Sequence, residues 1–238
     1  MAIAMSWIVA VRASGSVSCG STVFRNVSAT EAHIAASVAR SVMVEQFSTS
    51  SAGHRYSSAI ATFDHSSPIE TQRLELVALR VADAEEMVVV LADPALHQFT
   101  GGRPASLEEL RGRYTSWAGG SGSVDELWLN WIVRRRIDNA AIGAVQATVV
   151  HPHGEPIAEV AWTVGTAFQR QGFATEAAVA LVQWLLDNGA GSVTAHVHPD
   201  HTASARVAAA AGLRPTDRIV DGEVEWRLDG VLRSPVTE

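Results

Sequence analysis

The sequence predicts a mixed α/β (α+β) fold: a mostly antiparallel sheet with helices on both faces, behind a poorly structured N-terminal extension. Three observations predict it. Strand-like and helix-like stretches follow one another in the order βααβββαβαββ over residues 73–228. Hydrophobic residues fill 47% of 238 positions, enough for one well-buried domain with chain left over. Composition also changes near residue 67: the first part is rich in Ser and Ala and slightly basic, and the remainder carries the excess acid. The expected division is residues 1–67 as an extension, disordered or partly helical, and residues 68–238 as the folded domain.

Within the extension, Ser28 and Glu31 have capping-box spacing for a short helix over 29–46, and residues 47–67 have linker composition. Residues 2–11 are apolar but short, with no basic residue before them, and the sequence ahead of Cys19 lacks a lipoprotein signal's Leu. An export signal is therefore not expected. The extension reads either as a natural arm or as sequence ahead of a later translation start.

The domain elements follow in order. Residues 73–80 set Leu74, Leu76 and Ala78 against polar neighbours, the alternation of a half-buried strand. Asp83 is placed to cap a helix running to about residue 92, ahead of Asp93-Pro94. Ser106 and Glu109 form a capping box for a second helix ending near Trp117. After a turn at 119–123, residues 127–137 form a strand, Asp138-Asn139 its turn, and 142–150 the returning strand. A further turn leads to a strand at 158–164. A helix over 175–188 then stops at Gly189. Residues 192–197 form the next strand and 202–211 the last helix, with Gly212 just past its end. Asp221-Gly222 is a hairpin signal between two final strands.

Charge and cysteine usage exclude several classes. A net charge of −7 argues against a broad nucleic-acid footprint. The single Cys19 excludes an intrachain disulfide and fits a reducing compartment, so a cytoplasmic location is expected. No apolar run approaches the ~18 residues of a transmembrane helix, and no membrane partner is expected.

The most specific signal is the stretch Gln169-Arg170-Gln171-Gly172-Phe173-Ala174 between a strand and a helix. The first N–H groups of a helix have no partner inside it, and the helix dipole adds partial positive charge there. Gly172 lets backbone approach a phosphate, Ala174 keeps the helix start small, and Arg170 adds charge. Neither the P-loop pattern nor the dinucleotide pattern is present, so a diphosphate here belongs to another ligand class.

Ala158-Glu159-Val160-Ala161-Trp162-Thr163-Val164, with Gly172-Phe173-Ala174-Thr175-Glu176-Ala177 behind it, resembles the acetyl-CoA motif of the GNAT N-acetyltransferases. The branch it looks most like holds the RimJ/RimL-type protein N-terminal acetyltransferases. The family pattern [QR]-x-x-G-x-[GA] is met by Gln169, Gly172 and Ala174, and the downstream Pro199–Val207 stretch fits as well. The resemblance covers residues 70–230 or so and implies acetyl-CoA as co-substrate, with no metal. It places the cofactor against Trp162, Thr163, Val164, Gln169, Arg170, Gln171, Gly172, Phe173, Ala174, Thr175, His201 and Ser204. His201 stands where the family usually has an Asn that bonds the pantetheine arm, so that contact is altered.

Two residues are candidates for chemistry. Glu159 can take the acceptor's proton or order a relay water; the plainer reading is an exposed strand carboxylate. Ser204 is the resemblance's candidate acid for the departing thiolate; it also reads as the cap of the last helix. Glu176, in the first turn of the phosphate-side helix, would repel a phosphate if turned inward, and is expected to point away and brace backbone.

A rival motif overlaps. His196-Val197-His198-Pro199-Asp200-His201 spells the metallo-β-lactamase signature, but no His follows His201 to complete a two-metal site. His196 and His198 share a strand face that could hold an adventitious metal, whereas His151 and His153 read as solvated. Of the Trp residues, Trp128, Trp162 and Trp184 read as core, and Trp117 and Trp131 as core or substrate groove.

The sequence therefore predicts an acetyl-CoA-dependent N-acetyltransferase acting on a primary amine, either a protein N-terminus or a small molecule, as monomer or homodimer. A catalytically weak acyl-CoA-binding module is the alternative, and a metallohydrolase the remote one. The segment over residues 92–122 is where acceptor loops are expected.

Overall fold

The computed structural model describes residues 63–123, 126–151 and 155–230. The expected helix at 29–46, Cys19 and His153 lie outside the described residues. Within them, eight strands form one sheet in the order β1-β2-β3-β4-β5-β6-β8-β7. The strands are β1 (Ile69–Glu70), β2 (Leu74–Ala78), β3 (Glu126–Arg135), β4 (Ala141–Val150), β5 (Ile157–Val164), β6 (Ser192–Val197), β7 (Arg214–Val220) and β8 (Glu223–Asp229). All neighbours are antiparallel except β5 and β6. The helices are α1 (Ala84–Val90), α2 (Leu107–Ala118), α3 (Phe173–Asp187) and α4 (Thr202–Ala210). No helix among the described residues is long and apolar enough to cross a membrane.

Local signals explain most of this. The Ser106–Glu109 capping box has both of its halves, with Ser106 N–H on Glu109 Oε2 at 2.7 Å and Glu109 N–H on Ser106 Oγ at 3.3 Å. Asp221 and Gly222 have φ values of 52° and 86°, both positive as a two-residue hairpin turn needs. Asp83 does not cap α1 as expected. Its carboxylate reaches back to the Arg80 N–H at 2.7 Å and pairs with Arg134 at 3.0 Å. The two-residue β1 had no sequence signal.

The helices lie on both faces. On one face, Phe173, Ala177, Ala178, Leu181, Val182 and Leu185 recur at helical spacing along α3. They join Val207 and Ala208 of α4 over Leu129, Trp131, Val145, Val160, Trp162 and Val193. Truncating a central residue such as Leu181 to Ala would cost about 2–5 kcal/mol. On the other face, α1 and α2 bury Met87, Leu110 and Tyr114. The core reaches further toward the N-terminus than the expected boundary at residue 68. Phe63 is 4% exposed and packs on Trp184 at 6.1 Å, and the His65 ring meets Trp131 edge-on. Composition alone made that segment look like linker.

Candidate active site

Strands β5 and β6 pair at only three rungs, of which Glu159 with Thr194 is the last. Beyond it the two strands separate. In a sheet with a parallel pair, the crevice at the carboxyl ends of the strands is where ligands sit. The Gly165 N–H bonds Ile142 O on the β4 side. Alternation along β5 therefore turns the backbone groups of Val164 and Trp162 toward β6, into the gap. The Trp162 side chain is 1% exposed and belongs to the core, so only its backbone faces the gap. Thr163 is buried and its backbone faces β4, so it is not among the groups brought there.

The turn after β5 is built from backbone. Arg170 and Gly172 adopt left-handed φ values of 61° and 81°. The Gln169 side chain ties the turn back to Val164 O at 3.0 Å. Gly172 caps α3 with no side-chain help. Among the described residues, the amides of Arg170, Gln171, Gly172, Phe173, Ala174 and Thr175 donate no backbone hydrogen bond. Six free donors at the positive end of a long helix form an anion cradle. Phe173 contributes its amide only, since its ring lies in the core.

Arg73 covers the cradle from the start of β2. It donates to Gln171 O at 2.9 Å, pairs with Glu176 at 2.6 Å, and stacks on Phe173 at 4.7 Å. A side chain at Gly172 would meet only its guanidinium, at 3.4 Å. Glu176 indeed points away from the cradle. It takes hydrogen bonds from Thr71 Oγ at 2.6 Å and the Arg73 N–H at 2.9 Å. Sequence reading missed Arg73, which lies 98 residues before its partner in the turn.

Side chains from three elements converge at the lower end of the gap. Glu159 Oε1 lies 3.1 Å from His196 Nδ1. Burial pulls the His196 imidazole down, but the hydrogen bond and charge of Glu159, with Glu225 and Glu223 nearby, outweigh it and raise the pKa overall. Burial also raises the Glu223 carboxyl. His196 was read only as an adventitious metal ligand. The signal that could have found it is parity: two residues past the last β5–β6 rung, it shares a face with Glu159.

Ser204 is not the helix cap. That role belongs to His201, whose Nδ1 accepts the Ser204 N–H at 3.3 Å. Both side chains are 0% exposed, and neither Ser204 Oγ nor His201 Nε2 has a partner among the described residues. Burial lowers the His201 pKa, so the ring is neutral, and with Nδ1 accepting, Nε2 carries the proton. His201 therefore keeps one buried donor where an Asn amide would stand. The Phe99 ring, from the segment between α1 and α2, lies 4.2 Å from His201 and 5.3 Å from His198. Phe99 was not singled out in the sequence.

The histidine motif does not assemble a metal centre. His196 faces Glu159, His198 Nδ1 takes the Asp200 N–H at 3.2 Å, and His201 caps α4. Among the described residues no group of three or more His, Cys, Asp and Glu side chains could hold a metal ion. Of the tryptophans, Trp128 departs from its expected place in the core. Trp131 is core and Trp128 lines a cavity with Trp117.

The carboxyl end of β5 thus carries a parallel pair that opens after three rungs, a Glu159–His196 contact at the last rung, and a turn of free amides. The acetyltransferase (GNAT) domain model matches residues 73–214, and the chain belongs to this family. Solved structures share the fold at low identity. A GNAT acetyltransferase from Bacillus anthracis superposes with a TM-score of 0.56 at 19% identity, over 68% of this chain and 98% of that one. The ribosomal L7/L12 α-N-protein acetyltransferase RimL, solved with coenzyme A, gives 0.53 at 16%, over 68% and 98%. AAC(6')-Ib, solved with paromomycin and acetyl-CoA, gives 0.55 at 15%, over 66% and 94%. No curated protein sequence matches the chain.

Proposed function

We propose that this protein is an acetyl-CoA-dependent N-acetyltransferase that acetylates a primary amine, a protein N-terminus or a small molecule, in the manner of the RimJ/RimL branch. The observation that carries the proposal is the β5–β6 gap, which opens between Glu159 at the last rung and the free amides of residues 170–175. The residues fit acetyl-CoA. The amide cradle and Arg73 suit a diphosphate. The Trp162 backbone and the Val164 N–H, which face the gap, suit an amide-bearing arm, and the unpartnered His201 Nε2 and Ser204 Oγ suit its far end.

Acetyl-CoA supplies the acetyl group as an activated thioester. Glu159 takes the proton that the acceptor ammonium must lose, and His196 holds its carboxylate at the last rung of the pair. Ser204, fixed by the first turn of α4, donates its hydroxyl hydrogen toward the departing thiolate. Rate beyond these steps comes from holding amine and thioester together.

The test is release of free thiol from acetyl-CoA in the presence of N-terminal peptides, polyamines and amino sugars. Amine-dependent release supports the proposal. Acetyl-CoA binding with no release for any amine would make the chain an acyl-CoA-binding module instead.

A further inference from the structure

A second site lies beside the gap. A cavity of about 410 Å³ sits between the end of α2 and the start of β3, with Trp117, Trp128, Glu126 and Asn130 among its lining residues. Its size is that of a small-molecule pocket. The last bond from the β2 side reaches β3 at Asn130, whose O accepts the Leu79 N–H at 3.0 Å, and β3 below it lines the cavity. Gly120 and Gly122, at φ 77° and 68°, turn the chain tightly around its rim.

The chemistry of the walls selects charge. The indole of Trp128 offers a negative ring face, and that of Trp117, which packs on Tyr114 at 5.5 Å, adds aromatic wall. Among the described lining residues Glu126 is the only carboxylate, no arginine joins it, and His65 is the one titratable base. Trp128 Nε1 donates to Glu126 Oε1 at 2.8 Å, which fixes the carboxylate. The other oxygen accepts no hydrogen bond among the described residues. Helix α2 ends at this cavity with no basic residue in its last turn, so its negative dipole end is uncompensated. Ring faces, carboxylate and helix end all favour an organic cation.

The register connects the cavity to the proposed base. Trp128 is opposite Thr148, and Thr148 is opposite Glu159. Directly opposed residues share a sheet face, so Trp128 and Glu159 lie in one row, two inter-strand spacings apart, or roughly 10 Å. We infer that this cavity holds a second cationic group of the acceptor. Preferred acceptors are then primary amines bearing another basic nitrogen about 10 Å from the one acetylated. The inference rests on the acetyltransferase reading for the position of the reacting amine.

The experiment compares octamethylenediamine, trimethylenediamine and octylamine as acceptors for the full-length protein. In parallel, calorimetry measures octamethylenediamine binding without acetyl-CoA. The long diamine should exceed both others in kcat/KM about tenfold, the scale of one desolvated cation contact. Glu126→Gln should bring the diamine-to-octylamine ratio close to one and weaken diamine binding by a similar factor, with acetyl-CoA affinity unchanged. Trp128→Leu should weaken diamine binding in the same direction. If octylamine and the long diamine are equal substrates and Glu126→Gln alters neither ratio nor binding, the inference is overturned while the acetyltransferase reading stands. If the diamine binds through Glu126 but no amine is acetylated, the cation site stands and the acetyltransferase reading falls. If the diamine neither binds nor reacts, the cation site is rejected.

Discussion

The phosphate-side turn and the reaction end of the gap both hang on β5, yet they are built in opposite ways. The turn is contiguous and made of main chain: six neighbouring amides, one glycine at φ 81°, and the end of a helix. The reaction end is made of side chains that meet only in the fold. Glu159 and His196 are 37 residues apart, and Phe99 reaches His201 from the other side of the chain. A backbone site tolerates most side-chain changes but not the loss of its glycine. A side-chain site fails at any one member. Substitutions should therefore separate affinity from rate.

The largest effect is expected at the reaction end. Glu159→Gln keeps the shape of the side chain but cannot take a proton, and should lower kcat by about 10²–10⁴-fold. Acetyl-CoA affinity should stay near wild type, and the rate should recover at high pH where the amine is already neutral. A wild-type rate across the whole pH range would make Glu159 a structural strand residue.

A control outside both regions is Phe63→Ala. Emptying a buried aromatic site should cost about 3 kcal/mol of unfolding free energy, read by denaturant titration. A domain that began at residue 68 would show no change. Next in size is Arg73→Ala, which removes the guanidinium over the cradle and leaves the Arg73 N–H on Glu176. Acetyl-CoA affinity should fall about tenfold with kcat at saturation little changed. A fall in kcat at unchanged affinity would join the two regions that the geometry separates.

The smallest effect concerns the Glu159–His196 pair. Because the His196 pKa is raised above 6.5, the pairing stabilises the fold fully below that pH and loses its effect as pH rises through the folded value. His196→Asn should therefore be less stable than wild type at pH values just below 6.5, and the difference should shrink in mildly alkaline buffer. A constant or growing difference would show that the imidazole is not held by Glu159.

What was legible follows the same division. The turn could be read because Gln169, Gly172 and Ala174 sit in six consecutive positions, and their chemistry is that of backbone and helix end. Capping at Ser106 and the turn at Asp221-Gly222 were legible for the same reason. Arg73, His196 and Phe99 were not, because their positions depend on strand register and on contacts between residues distant in sequence. Ser204 was expected to cap the last helix, and His201 holds that position instead. His201 rarely serves as a cap by propensity, but its Nδ1 reaches the Ser204 amide here. Trp128 was assigned to the core and lines a cavity instead, because a strand of two-sided burial hides its parity.

The central claim is that the turn over residues 169–175 binds the diphosphate of acetyl-CoA. Calorimetric titration of acetyl-CoA into the wild-type protein and Gly172→Asp tests it most directly. The new carboxylate would stand among the free amides and oppose the ligand's charge; it meets only the Arg73 guanidinium, and the strain of a side chain at φ 81° is confined to this turn, with the fold checked by circular dichroism. The account predicts saturable binding to wild type and none to a folded Gly172→Asp. Equal affinity in the two proteins would contradict it.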